Sequence, residues 1–433
     1  MKKADLPARP PAAGSVPLRG SDPAALLDRR APGAWELYRK TAETRESDVS
    51  AGNRVELWRR EEGWAARWWT GGLKFACGSD AVRITEAIAA ASALPARDEP
   101  APRLPSVDLL RPDSEAPLDA PPDLFERLAQ LVAEKSRGEA ILAALALRRG
   151  RSIEEISNAA GLSARMESRR LDGVARAVGR RGSRGRESRA VFRWDSEPEL
   201  DALAARLADG ATFPLAARGL TFPRGSLLLD PAVAAALLAS IAPLFSTERL
   251  PRWVKRSELA ARTVTIVDDA SADAPFDGEG TPTRRVTVVE EGSLAARLHD
   301  LRSAARAGAS PTGHGVRPSY LTPPRPGPRR LFFETARGVA PLELLRRVAR
   351  GVFARAVTAP LAIDLERDRY SIEFTGVAVL AGHAREPVAG ARVSGRVSEL
   401  LHRIAAVATD RQFFPMPYPV GAPTVLIEKV SFE

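Results

Sequence analysis

Gly225-Ser226-Leu227-Leu228-Leu229-Asp230-Pro231-Ala232-Val233-Ala234-Ala235-Ala236-Leu237-Leu238-Ala239-Ser240-Ile241-Ala242-Pro243-Leu244-Phe245 divides at its one acid. The residues before Asp230 read as a buried strand, and those after it as an apolar helix over 232–245. Asp230 is placed to accept from the first free N–H groups, and Pro231 sits where the helix needs no donor. Downstream, the pattern predicts a strand at 263–267 and a loop containing Phe276-Asp277-Gly278-Glu279-Gly280. A strand at 285–289, a turn at Glu291-Gly292 and a helix at 293–307 follow. The remaining strands are predicted at 331–334, 370–380 and 425–432, with helices near 341–351 and 397–408. Strands and helices do not alternate regularly, and no Gly-rich fingerprint follows a strand, which argues against a dinucleotide or P-loop site. The fold class is therefore α+β, with mixed, mostly antiparallel sheets and packed helices.

Upstream, residues 1–21 are rich in Pro, Ala and Gly and read as a disordered tail. Alternation at 35–39 and 55–59 predicts strands, with Glu61-Glu62-Gly63 as a hairpin turn into Trp64-Ala65-Ala66-Arg67-Trp68-Trp69. Four of the seven Trp lie between Trp58 and Trp69, as expected of the packed face of a half-buried sheet. Residues 81–93 have helical spacing. Residues 95–122 carry eight prolines and read as a loop crossing. A helix resumes to about 134, and the apolar run 140–147 fits either element type. Residues 152–163 have the outline of a helix, a Gly turn and a second helix, and nine Arg follow between Arg165 and Arg189. The alternation of 173–179 and 188–194 favours strands joined by a solvated basic loop. A helix at 197–210 closes this half. The organisation is then a tail at 1–21, an N-terminal α+β domain at 22–210 and a β-rich domain at 211–433.

The chain has 433 residues, 44% hydrophobic and 27% charged, which is globular composition. Net charge is +10, yet only seven of its 64 basic residues are Lys. An Arg excess accompanied by much Ala, Pro and Gly follows from GC-rich coding, so nucleic acid is not the expected partner. No apolar run reaches the ~20 residues a bilayer crossing needs. Met1-Lys2-Lys3 opens a Pro-rich polar stretch with no secretory apolar region, so the expected location is cytoplasmic, with no membrane contact. The single cysteine, Cys77, excludes an internal disulfide and reads as a buried, inert thiol.

From about Gly225 onward the order of features resembles the TldD/PmbA family, called modulators of DNA gyrase and related to metallopeptidases. The residues that carry the resemblance are the Leu-Leu helix at 232–245, Asp268-Asp269 and Phe276-Asp277-Gly278-Glu279-Gly280-Thr281-Pro282. To these are added Glu291-Gly292-Ser293-Leu294, Pro311-Thr312-Gly313-His314-Gly315, Tyr370-Ser371-Ile372 with Thr375-Gly376, Ala391-Arg392-Val393-Ser394-Gly395, and Pro419-Val420-Gly421-Ala422-Pro423-Thr424. Upstream, Asn158-Ala159-Ala160-Gly161 matches the family's Asn-x-x-Gly turn between strands. The resemblance implies a two-domain TldD/PmbA-like architecture.

The family's catalytic members carry His-Glu-x-x-x-His on the helix corresponding to 232–245, and a cysteine before the Pro-Val-Gly segment. Histidines one turn apart bind one zinc while the Glu polarises its water. Here the helix has no His, Glu or Cys, and 410–416 has no Cys. The resemblance is thus to the TldE/PmbA-like branch, without the zinc motif. It implies a non-catalytic subunit of a TldD/TldE-type metalloprotease complex that processes small or unfolded peptides. No cofactor is expected on this chain, zinc is expected in the partner, and the implied partner is a TldD-type zinc-bearing homologue in a heterodimer. The alternatives are a nucleic-acid-associated protein using Arg165 to Arg189 and a stand-alone homodimeric scaffold. His299 is read as lying in a helix, His383 in a hairpin-like turn and His402 on a helix, each structural or at the surface. His314, with Thr312 and Arg317, is the candidate for shaping a loop or touching peptide backbone. Asp277 and Glu279 are read as turn residues making local hydrogen bonds.

Overall fold

The computed structural model describes residues 22–50, 53–106, 120–193, 200–217, 219–246, 249–272, 274–416 and 418–433. The predictions for residues 1–21 and for 107–119 of the Pro-rich segment lie outside these. Among the described residues, eight helices and three main sheets make a mixed α+β fold. Among the described residues, pairing between the strands is antiparallel except where 350–357 meets 224–229 and where 331–333 meets 419–422.

The N-terminal sheet contains six strands: β1 (Trp35–Ser50), β2 (Asn53–Trp69), β3 (Leu73–Gly78), β4 (Ala140–Asn158), β5 (Ser163–Arg181) and β6 (Arg184–Arg193). Their order is β3-β2-β1-β4-β5-β6. At one end, α1 (Pro23–Arg30) and α2 (Ile84–Ser92) bury Trp35, Trp64 and Trp68 against Leu27, Ile84 and Ile88. At the other end, α3 (Leu124–Lys135) and α4 (Leu200–Ala216) cover Leu145, Leu171, Ala175 and Phe192. Helix α4 also packs on strands 350–357, 369–380 and 383–395, and it runs through residue 210 without a break.

The C-terminal half holds two sheets with a helix between them. One runs 362–364, 369–380, 350–357, 224–229, 425–431, 404–407, with 383–395 added on 369–380. The other runs 293–294, 285–290, 266–269, 331–333, 419–422, 412–415. Helix α5 (Pro231–Ile241) touches both sheets, and a 3-10 turn Ala242–Phe245 prolongs it. Asp230 caps it by accepting from Ala232 N–H at 3.1 Å, with Pro231 at the first turn, as predicted. A helix apolar on every side belongs in an interior. Val233, Leu237, Leu238 and Ile241 are fully buried, each stabilising the fold by about 1.5–3 kcal/mol. Three shorter helices follow, α6 (Leu301–Ala307), α7 (Pro341–Arg347) and α8 (Val397–His402). No helix among the described residues is long and apolar enough to cross a membrane.

Several predictions of local structure are corrected. Glu61-Glu62-Gly63 is no turn: β2 pairs with β1 in unbroken register from Asn53 to Trp68, with Asn53 opposite Ser50. Gly63 serves a close approach instead, since a Cβ there would lie 2.3 Å from the Tyr320 ring. Trp58 is 67% exposed and leaves the packed aromatic face. Residues 140–147 are strand, and 152–163 are strand and tight turn, so the basic loop shrinks to the reversal between Arg181 and Arg184. Helix 293–307 begins only at Leu301, because Leu294, Ala295 and Leu298 donate to the carbonyls of Arg256, Val288 and Phe245. Asp300 and Ser303 then form a capping box. His299 accordingly precedes that helix and is not in it. The helices at 341–351 and 397–408 stop at Arg347 and His402, and the residues beyond enter strands 350–357 and 404–407.

Candidate functional site

The motif residues of the C-terminal half meet the N-terminal sheet in one buried polar seam. The turn at 276–280 and the segment 312–317 face β1 and β2, and Phe276 packs with Ile156, Leu162 and Met166. Leu162 arrives there by the predicted Asn158 turn, whose Oδ1 accepts from Ala160 and Leu162 N–H at 2.9 and 3.2 Å.

Four charged side chains form an alternating chain across the seam. Arg317 Nη2 donates to Glu36 Oε1 at 2.5 Å and also to the Gly278 carbonyl at 3.0 Å. Arg67 grips Glu36 through Nε at 3.2 Å and Nη2 at 2.5 Å. Its Nη1 donates to Glu279 Oε1 at 2.9 Å, and Glu279 Oε2 accepts from Leu301 N–H at 2.7 Å. All four side chains are at most 3% exposed, and the Arg317 guanidinium lies over the Tyr38 ring, 4.4 Å from its centroid. Burial depresses the basicity of Arg67, but Glu36 and Glu279 more than restore it. Burial pushes the Glu279 carboxyl up to about 8; Arg67 opposes this, while Asp277, Asp300 and Glu36 add to it. Burial also lowers Arg317.

Asp277 ties the turn to the neighbouring segment. Its Oδ1 accepts from Glu279 and Thr281 N–H at 2.9 and 3.0 Å, and Oδ2 from Gly315 N–H at 2.7 Å. A Cβ at position 315 would meet Glu279 Oε2 at 2.7 Å, so glycine lets the backbone come this close. His314 is wholly buried. Its Nε2 lies 3.0 Å from Asp268 Oδ1, and its Nδ1 lies 2.8 Å from the Thr312 carbonyl and 3.1 Å from the Thr312 hydroxyl. Asp268 also accepts from Arg329 and Arg330 N–H. The Thr312 hydroxyl in turn accepts from His299 N–H at 2.7 Å.

The structure thus brings Thr312, His314, Arg317, Asp277 and Glu279 together, with every side chain closed to bulk solvent. His314 and Thr312 shape the loop, and Arg317 and Glu279 lock it to the sheet. Glu279 reaches well beyond its own turn, to Arg67 and Leu301. Sequence reasoning missed Glu36, Arg67 and Asp300. The signal was there for the first two, each a charge with an aromatic neighbour in the buried part of its strand, where an unpaired charge would be very costly. Elsewhere, His383 opens strand 383–395 after the reversal at Ala381-Gly382, and His402 ends α8. Burial raises the Cys77 thiol, whose sulfur lies 3.8 Å from the Leu321 carbonyl. Of the arginines between 165 and 189, Arg165, Arg169, Arg176 and Arg181 form ion pairs with Glu155, Glu167, Glu187 and Glu139.

A two-sheet C-terminal half enclosing an apolar helix, keyed to a long-stranded sheet by a buried ionic seam, defines the class of protein. Residues 224–433 match the model of the PmbA/TldA metallopeptidase C-terminal domain. That half thus carries the PmbA/TldD C-terminal family domain. It is similar in structure to TldE of Thermococcus kodakarensis, with a TM-score of 0.82 and 18% identity over 94% of this chain and 98% of that one. In sequence it is 23% identical to the metalloprotease TldD homologue of Haemophilus influenzae, over 39% of this chain and 38% of the relative. It is 29% identical to the PmbA homologue of the same organism, over 37% of this chain and 32% of the relative. The chain therefore spans less than two fifths of the curated relatives it matches.

The family domain implies a zinc ion, and the residues of α5 do not fit one. The helix offers Ala, Val, Leu, Ile and a single Ser, whose hydroxyl donates to the Ala236 carbonyl. Among the described residues no group of three or more His, Cys, Asp and Glu is gathered to hold a metal.

Proposed function

We propose that this chain is a non-catalytic subunit of a TldD/TldE-type metallopeptidase complex that processes small or unfolded peptides. Zinc and hydrolysis come from a homologue bearing His-Glu-x-x-x-His. The observation that carries this reading is α5: where the family's catalytic members place metal ligands, this helix carries Leu237 and Leu238, buried between two sheets. The family domain and the fold shared with TldE support it further. The contribution of such a subunit is shape, because enclosing a peptide excludes water and limits the orientations it can take. The ionic seam keeps the enclosing wall rigid.

The test is co-expression with a zinc-bearing homologue, followed by metal analysis and peptide cleavage by each chain alone and by both. The expected result is co-purification, zinc in the homologue only and cleavage dependent on both chains. Stoichiometric zinc and cleavage by this chain alone would overturn the reading. So would failure either to co-purify with or to activate the homologue.

A further inference from the structure

Among the described residues, five other than glycine have positive φ: Arg137, Glu291, Asp368, Ala381 and Lys429. The first four lie in turns that join two elements. Lys429, at φ 57°, lies inside strand Val425–Ser431. There the pairing with Arg224–Leu229 slips: Ile427 stands opposite Leu227 and Val430 opposite Gly225, so Glu428 and Lys429 together face Ser226. Such a bulge favours glycine at its left-handed position, because a Cβ there crowds the following carbonyl. A lysine held in that conformation is locally strained, and strain of this kind gathers where a side chain must be aimed at a ligand.

Lys429 lines a pocket of about 630 Å3, into which Arg224, Arg350 and Arg403 also converge. Ser226, Ser431 and one acid, Glu428, complete the polar lining. Strands Arg224–Leu229 and Arg350–Val357 run parallel and both begin here, and Val425–Ser431 ends here, so sheet topology gathers the charges. Glu428 N–H donates to the Arg403 carbonyl at 2.9 Å, which ties the fourth cation to the bulge. Arg350 is held over the Phe222 ring, 5.7 Å from its centroid. Among the described residues, Arg224, Arg350 and Lys429 meet no carboxylate, and Arg403 has one in an exposed pair with Glu399 that is worth little. The hydroxyls of Ser226 and Ser431 are likewise without a protein partner there. Like charges gathered without counter-charges repel one another, and an anion between them relieves that repulsion.

We infer that this pocket binds a compact, multiply charged anion, the diphosphate group. Four cations and one acid leave a net charge of +3. Each phosphate carries about 1.5–2 negative charges near neutral pH, so two of them balance it. Guanidinium forks, an ammonium and hydroxyls are the donors that phosphate oxygens accept. The cations come from four chain segments around one pocket, not along a line, which suits a compact ion over a nucleic-acid backbone. Phe222 is buried beneath Arg350 and Phe432 and offers no face for a base to stack on. Free pyrophosphate and the diphosphate of a nucleotide share this chemistry.

Isothermal titration calorimetry of the full chain with inorganic pyrophosphate, at low ionic strength where exposed charges are least screened, tests this. Saturable one-to-one binding is expected. Lys429→Gly relaxes the strained backbone and removes the cation, so affinity should fall about five- to tenfold while the melting temperature holds or rises. Arg224→Gln should weaken binding by a similar factor, and Glu428→Gln should tighten it. Arg59→Gln, an exposed change on β2, should leave it unaltered. ADP bound as tightly as pyrophosphate supports a nucleotide as the source, and ADP rejected supports the free ion. The proposal is overturned by no saturable binding, by sulfate binding as tightly, or by wild-type affinity in both Lys429→Gly and Arg224→Gln. A DNA duplex bound more tightly through these same residues overturns it too. None of them belongs to the ionic seam or to α5, so either result leaves the proposed subunit role untouched.

Discussion

Replacing Arg67 by methionine removes the central link of the buried seam while keeping much of the side-chain volume. The guanidinium makes two bonds to Glu36 and one to Glu279, and both carboxylates stay buried when it goes. Removing one partner of a buried pair costs about 3–5 kcal/mol, mainly the penalty of the charge left behind. One arginine here serves two acids, so the upper part of that range is expected, against a whole-protein stability of about 5–15 kcal/mol. Arg317 still holds Glu36, which keeps the loss from doubling. The orphaned Glu279 also responds to pH. With its folded pKa above its unfolded one, the folded state binds more protons, so stability falls as pH rises through that window. Urea unfolding, followed by tryptophan fluorescence and circular dichroism at pH 5 and pH 8, should therefore show the larger loss at pH 8. Adding Glu279→Gln should recover about 1–3 kcal/mol, since neighbours in one network are not additive. A loss under about 1 kcal/mol at pH 8, or a larger loss at pH 5, would refute the seam as an electrostatic lock.

In the wild type, Glu279 is raised from 4.5 to about 8 by burial. Its contribution is full below the lower value and declines as pH climbs to the higher one, so Glu279→Gln should flatten that slope in thermal melts across the interval. Asp230→Ala removes the α5 cap and one carboxylate partner of Arg355, and a loss of about 1–2 kcal/mol in urea unfolding is expected. Gly63→Ala drives a methyl into the Tyr320 ring, costing about 1–3 kcal/mol. In a Tyr320→Ala background the same change should cost much less, and equal costs in both backgrounds would reject the contact.

Short-range chemistry was legible where it is local. Asp230-Pro231 announced a helix start, Glu291-Gly292 a reversal, and the alternation of 173–179 a strand, because caps, positive φ and strand periodicity depend on a few adjacent residues. Helix ends were overestimated where helix and strand share the same apolar spacing, as at 348–351 and 404–408. There the choice was made by neighbouring strands, since 350–357 pairs with 224–229 and 404–407 with 425–431. The false turn at 61–63 has the same origin: Gly63 is needed by Tyr320, more than 250 residues away in sequence.

The stretch from Gly225 to Phe245 showed an apolar, Asp-capped helix devoid of zinc ligands, and composition alone carries that statement. The ordered motifs likewise placed Asp277, Glu279, Thr312, His314 and Arg317 in one family pattern. What they do depended on the tertiary structure. Glu36 and Arg67 come from separate strands far from the motifs, and only folding brings them within hydrogen-bond reach of Glu279 and Arg317. Charge pairing at that range is invisible along the chain, because its energy depends on distance and burial in three dimensions.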